Sequence, residues 1–367
     1  GPFDAALGER MLARLAHRGP DGSVTRQVGD GAWLGSHYLT IVDPQRGQQP
    51  IHDAAGGLWL IGDGEIYNHE RLRTTLEDRR FHTRSDLETA LVLFDELGPT
   101  AFELLWGTFA LVVAGHDGRF AVARDTFGLA PLYWARRGAS TVFASEMKAF
   151  DPEWLGDVEP FPPGHAWTPQ EGLIPGPGYP TATPLLLRSR SPEEDPPSWV
   201  FDAVRETLGR AVDHAMDTDM PIGLLLSGGV DSSIIAAVAA PKAAARGGTL
   251  PTFSVGLAGS ADLVAARTVA AHVGTDHHEL VYTAEEAIAM VPEVIAKLES
   301  FDPTLVHSAV PNHLVAALAA QHVRIVLVGE GADELFAGYT HYERHDTAEA
   351  LHEELVATLE GMHVGGL

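Results

Sequence analysis

The chain has 367 residues, 45% of them apolar, with 50 acidic against 25 basic side chains, a formal net charge of −25 and no cysteine. This length suggests two domains, while the composition excludes disulfides and cysteine-ligated metal within these residues. No apolar run reaches the roughly 18 residues of a membrane span, and so acidic a chain is a poor partner for nucleic acid; a cytoplasmic protein without nucleic-acid or membrane partners is expected.

Short strands come first. Trp33–Leu39, Leu58–Gly62, Thr108–Ala114 and Phe120–Ala123 are separated by glycine or aspartate turns. Around them lie His17-Arg-Gly-Pro-Asp-Gly22, Leu39-Thr-Ile-Val-Asp43, Gly47-Gln-Gln-Pro50, Gly64-Glu-Ile-Tyr-Asn-His69, Ser85-Asp86, Ala123-Arg-Asp-Thr-Phe-Gly-Leu-Ala-Pro-Leu-Tyr133 and Phe143-Ala-Ser-Glu-Met-Lys-Ala149. Ten of the 24 prolines then fall between residues 161 and 200, where they break any helix or central strand. This marks a linker over 166–198 between a first domain at 1–165 and a second at 199–367. Beyond it strands alternate with helices such as Val200–Met216 and Asp262–Val273, which argues for a parallel sheet.

The densest chemical signal is Ile222-Gly-Leu-Leu-Leu-Ser-Gly-Gly-Val-Asp-Ser-Ser233, followed by an apolar helix. A strand, a glycine loop and a helix start form a phosphate cradle, because glycines admit close approach and helix N–H groups face an anion. Ser227 and Ser232 add hydroxyls, and Asp231 suits a Mg²⁺ that neutralises phosphates. There is no Walker loop, and the lysines, Lys148, Lys242 and Lys297, all lie elsewhere. Thr252-Phe-Ser-Val-Gly-Leu257 reads as another buried strand. Arg324-Ile-Val-Leu-Val-Gly-Glu-Gly-Ala-Asp-Glu-Leu-Phe-Ala-Gly-Tyr339 is again a strand, a glycine turn and carboxylates. Two such strand ends in one sheet would meet at a ligand crevice. An ordinary glycine turn and a solvated acidic turn are the bland alternatives.

The loop resembles that of the N-type ATP pyrophosphatases. With FSVGL, GTDHHE and VGEGADELFAGY after it, the second half is similar to the synthetase domain of glutamine-dependent asparagine synthetases. The ordered motifs of the first half resemble class II glutamine amidotransferase domains. The resemblance implies an α/β chain: an N-terminal antiparallel β-sandwich flanked by helices, of Ntn-hydrolase type, then a parallel-sheet domain of adenine nucleotide α-hydrolase type. It implies ATP and Mg²⁺, with Leu225 and Val255 along the adenine and ribose and Ser227, Gly228, Gly229, Val230, Asp231 and Ser232 around the pyrophosphate. Gly329 joins the nucleotide site, Asp231 and Asp333 hold the metal, and Glu330 stands at the family's catalytic glutamate. Val328 replaces a serine of the family. The implied reaction adenylates a small-molecule carboxylate and passes it to ammonia or an amine, with a homodimer left open.

The chain also departs from the family. The cysteine nucleophile has no counterpart in these residues, the glutamine-clamping arginine falls at Tyr38, and the oxyanion-hole asparagine falls at Asp63, although Asp86 is retained. A first domain without glutaminase activity is expected, whether the cysteine is missing from the gene or only from the start of the sequence. No lysine follows Lys297, so the family's catalytic lysine is also missing and the C-terminus is expected to be incomplete, or a partner chain completes the site. In the stretch Phe301–Pro311, which aligns with the aspartate-binding segment, Thr304-Leu305, His307 and Ala309-Val310 replace hydroxyls and an arginine, so an acceptor other than free aspartate is expected. An intramolecular cyclase of the β-lactam synthetase or lasso peptide type is the alternative enzyme, but Glu330 favours asparagine synthetases over the tyrosine of β-lactam synthetases. A non-catalytic nucleotide-binding subunit is the third reading. His277-His278-Glu279, placed at a helix end, and His341 with His345 are read as structural or surface groups.

Overall fold

The computed structural model describes residues 4–43, 47–53, 56–76, 78–176 and 197–365, with side chains described up to 358. The chain divides into two compact units, Gly1–Glu193 with Thr358–Leu367, and Glu194–Ala357.

The first unit contains α1 (Ala5–Arg14), β1 (Gly22–Val28), β2 (Ala32–Tyr38), β3 (Ile51–His52), β4 (Leu58–Ile66), α2 (His69–Thr74), α3 (Asp86–Leu97), β5 (Gly107–Gly115), β6 (Phe120–Arg124), β7 (Tyr133–Arg137), β8 (Ser140–Ala144), β9 (Val158–Pro160), β10 (His165–Thr168) and β11 (Gly172–Pro175). An antiparallel six-stranded sheet runs β11-β10-β6-β5-β4-β3, beside the sheets β8-β7-β9 and β1-β2. Strand β5 reads as a nearly continuous apolar run because both of its faces are covered. Phe109, Leu111 and Val113 meet α3 through Leu91 and Phe94, whereas Ala110 packs with Val122, Trp134, Phe161 and Trp167. Helices on one face and sheets on the other make the expected layered sandwich.

The motif at Ala123–Tyr133 is a hydrogen-bonded knot. Arg124 donates to the carbonyls of Ala130, Phe161 and Gly128 at 2.8, 2.6 and 2.6 Å, while Asp125 accepts from the N–H groups of Phe127, Leu129 and Ala130. Every one of these bonds satisfies a loop group that burial would otherwise orphan. The linker expected from residue 166 begins later than that: Ala166–Pro175 form the β10–β11 hairpin, with β10 paired on β6, so Pro169 sits in its turn and Pro175 ends its second strand. Residues 177–196 of the expected linker lie outside the described residues.

The second unit contains α4 (Ser198–Ala215), β12 (Ile222–Leu225), α5 (Val230–Ala245), β13 (Pro251–Leu257), α6 (Ala261–Val273), β14 (Asp276–Tyr282), α7 (Ala284–Leu298), α8 (Pro303–Ala319), β15 (Ile325–Leu327) and α9 (Ala332–Phe336). Its strands are parallel in the order β14-β13-β12-β15. Leu224 and Leu226 face α4, α5 and α6, while Leu225 and Phe253 face α8, so helices cover both sides. From β12 the chain winds outward to β13 and β14, then returns to place β15 on the other flank of β12. That reversal is the topological switch point, where ligands bind at the carboxyl ends of strands. Among the described residues, no helix is long and apolar enough to cross a membrane.

His277, His278 and Glu279 lie on the edge strand β14, not at a helix end. The helix before them stops at Gly274, whose left-handed backbone (φ 77°) caps α6, so the histidines begin a new strand. His277 Nδ1 meets the Thr252 hydroxyl at 2.9 Å and Nε2 meets Glu279 at 3.2 Å, and Arg267 grips Glu279 from α6. Burial pushes the His277 pKa down, which keeps this bridge largely neutral on the histidine side.

Candidate nucleotide site

In the loop from Ser227 to Ser232, β12 hands over to α5. Gly228 has φ 81°, and a Cβ there would lie 2.5 Å from the Ala266 nitrogen and 2.6 Å from the Ala265 carbonyl carbon. The loop is pressed against the backbone of α6, and only glycine fits both the backbone angle and the gap. The serines then clip the turn. Their hydroxyls meet at 3.0 Å, the Ser227 N–H donates to Ser232 Oγ at 3.3 Å, and the Gly229 N–H donates to Ser227 Oγ at 3.2 Å. Ser232 is buried, so its hydroxyl shapes the loop from beneath.

Gly329, just past β15, makes the second close approach. A Cβ there would lie 3.1 Å from the Ser232 nitrogen and 3.2 Å from the Asp231 Cβ, so the absent side chain lets the end of β15 rest against the start of α5. Gly331, at φ 92°, then turns the chain into α9, with Asp333 in its first turn. The Asp333 carboxylate lies against Gly338, where any Cβ would fall 2.0 Å from its Oδ1. Tyr339 donates its hydroxyl to Glu334, and that bond holds the phenol pKa well above its usual range.

These elements enclose a cavity of about 320 Å³ at the switch point. Among the expected site residues, Leu225, Ser227, Asp231, Ser232, Val255, Gly329, Glu330 and Asp333 line it together; Gly228, Gly229 and Val230 form the loop without lining it. The lining also includes Asp262 from α6 and Asn312 and Val315 from α8, which sequence reasoning missed. No local motif flags them, since their helices are otherwise ordinary apolar stretches. Of the expected acceptor segment, Pro311 lines the cavity. Helix α8 begins at Pro303, capped by Asp302, which leaves His307 exposed and Val310 packed on α7 rather than in the cavity.

Among the described residues, the lining carries the carboxylates of Asp231, Asp262, Glu330 and Asp333 but no lysine or arginine. A polyphosphate meeting that set would be repelled unless a divalent cation came with it. Asp231 and Asp333 both line the cavity, and such a pair would suit Mg²⁺, which takes one or two carboxylates and leaves its other positions to phosphate oxygens and water.

In the first unit, Asp63 on β4 does not stand as a bare carboxylate, because Arg18 is paired to it. Arg18 also reaches Glu146 at 2.9 Å, and Glu146 further holds His17 at 3.0 Å and Lys148 at 2.9 Å. Burial tends to raise the Glu146 pKa, but the bonds from Lys148, Arg18 and His17 outweigh it and hold the value at about 2. Asp86, at the start of α3, is buried and accepts the Ile66 N–H at 2.8 Å, and burial pushes its pKa up.

Two family models match the chain in tandem, a glutamine amidotransferase domain over residues 4–160 and asparagine synthase over 203–363. Among curated proteins it is similar to asparagine synthetase [glutamine-hydrolyzing] 2 of Oryza sativa subsp. japonica, with 37% identity over 99% of this chain and 62% of that protein. It is 38% identical to asparagine synthetase [glutamine-hydrolyzing] 3 of Arabidopsis thaliana, over 96% of this chain and 61% of that protein. The chain thus spans about three fifths of the length of the curated relatives it matches. Among solved structures it is similar to the glutamine phosphoribosylpyrophosphate amidotransferase from B. subtilis complexed with ADP and GMP. The TM-score is 0.40 at 21% identity, covering 69% of this chain and 63% of that one.

Proposed function

The chain belongs to the asparagine synthetase family, and from that premise we propose that its second unit is the ATP site of an amide-forming ligase. The observation that carries the proposal is the meeting of the Ser227–Ser232 loop with Glu330 and Asp333 in one cavity at the ends of β12 and β15. Leu225 and Val255 offer the apolar wall a base needs, and the loop with the start of α5 receives the phosphates. Asp231 and Asp333 would hold Mg²⁺, which neutralises the charge gathering on the departing pyrophosphate.

A carboxylate oxygen of the acceptor attacks the α-phosphorus, the bond to the bridging oxygen breaks, and pyrophosphate leaves. An amine or ammonia then attacks the acyl carbon, AMP departs, and an amide remains. Glu330, exposed at the cavity rim, is placed to orient the amine and take its proton. Holding the reactants in one cavity makes the second step effectively unimolecular, which lowers the entropic part of its barrier.

The first unit is proposed to be without glutaminase activity, because Asp63 paired with Arg18 sets a carboxylate where a developing oxyanion would need a neutral donor. Nitrogen then comes as ammonia or another amine. The test is product analysis with labelled ATP, Mg²⁺, ammonia and a panel of carboxylic acids, on the wild type and Asp231→Ala. AMP and pyrophosphate that vanish in the variant support the reading, and ADP with phosphate would overturn it.

A further inference from the structure

The cavity is lined by groups of two kinds. Ser227, Asp231, Asp262, Glu330 and Asp333 supply its polar lining, while Leu225, Val255 and Val315 come from one apolar cluster. Among the described residues, Asn312 is the one side-chain amide in the lining, and it belongs to the same turn of α8 as Pro311 and Val315. It is exposed, and it makes no hydrogen bond or ion pair with the described residues. Asparagine is a poor helix former, and this one sits inside a 17-residue helix without a cap or a partner to occupy its amide.

Accordingly, we infer that Asn312 reads the base of the nucleotide, its amide pairing with the N6/N7 edge of adenine. This rests on the ATP reading of the cavity. The amide oxygen accepts from the exocyclic N6 amine and the amide N–H donates to N7, the pairing by which asparagine recognises adenine elsewhere. Guanine presents two acceptors, O6 and N7, on that edge and leaves the amide oxygen unmatched. The apolar wall holds the base by area, and Asn312 supplies the choice among bases. The Ser227–Ser232 loop is indifferent to that choice, since it meets only phosphates.

The experiment is calorimetric titration of the whole chain with the Mg²⁺ complexes of ATP and 7-deaza-ATP, in which a C–H replaces N7, for the wild type and Asn312→Ala. Alanine is the better helix former at this exposed position, so the variant folds. The wild type is expected to favour ATP by roughly fivefold to tenfold, the worth of one neutral hydrogen bond. Asn312→Ala is expected to bind both ligands equally and ATP more weakly than the wild type does. Wild-type protein that binds the two ligands alike, or a variant that keeps the preference, overturns the assignment of Asn312 while leaving the ATP site standing. Wild-type protein that binds neither overturns the ATP reading and this inference together.

Discussion

Gly228→Ala tests the loop at its tightest point. Two penalties are written in its geometry: φ of 81°, and backbone atoms of Ala265 and Ala266 within 2.6 Å of where the methyl group must go. A left-handed backbone costs an L-residue about 1–2 kcal/mol. Overpacking against unyielding atoms adds about 1–3 kcal/mol, giving about 2–5 kcal/mol for the pair. Gly247 provides the control, because its φ is 84° yet nothing lies within 4 Å of its would-be Cβ. Gly247→Ala should therefore carry only the backbone cost of about 1–2 kcal/mol. Urea unfolding, read with hydrogen exchange at β12 and α5, measures the difference between the two. Titration with Mg·ATP measures the consequence: if restoring the binding geometry costs about 2 kcal/mol, affinity falls about thirtyfold in Gly228→Ala. Gly247→Ala should bind as the wild type does. Equal losses of stability in the two variants, or unchanged nucleotide binding in Gly228→Ala, would refute the view that the loop is shaped by its contact with α6.

Because the cavity lining is acidic and, among the described residues, lacks lysine and arginine, chelation with EDTA should abolish measurable ATP binding; a persistent calorimetric signal without metal would contradict the assigned roles of Asp231 and Asp333. Each of Asp231→Asn and Asp333→Asn should weaken Mg·ATP binding while leaving the circular dichroism spectrum unchanged. Glu146 is held at about 2 against an ordinary 4.5, so its stabilising contribution is complete above 4.5 and is lost as pH falls from there through 2. That shift would amount to about 3 kcal/mol unscreened, but Arg18, His17 and Lys148 are all partly solvated, which reduces it to about 1–2 kcal/mol. Urea midpoints of the wild type and Glu146→Gln should therefore converge as pH falls from 5 to 2, and parallel curves would argue against the network. Neither the wild type nor Asp63→Asn should release glutamate from glutamine, since these 367 residues contain no thiol; release by either, followed by coupled glutamate dehydrogenase, would reinstate the glutaminase.

Much of the second unit was legible in the chain itself. An apolar run, Ser227-Gly-Gly and a polar helix start can form few local structures other than strand, loop and helix, and strands separated by helices require parallel pairing. Gly228 and Gly329 announced positions where a side chain was unwelcome. What pressed against them, α6 in one case and the start of α5 in the other, was decided by packing. The same divide explains the missed residues. Asp262 and Asn312 carry no motif, and they join the site only because α6 and α8 pack on opposite faces of a sheet whose order reverses at β12. The β10–β11 hairpin was hidden among prolines, because pairing with β6 depends on a partner more than 40 residues distant. Asp63 looked like a bare charge in one dimension, and in three it is an ion-paired one that still offers no donor, because Arg18 lies beside it. Local chemistry depends on neighbours along the chain, and so it can be read from the chain. The choice of a partner across the fold depends on which surfaces bury each other, and only the folded structure contains that.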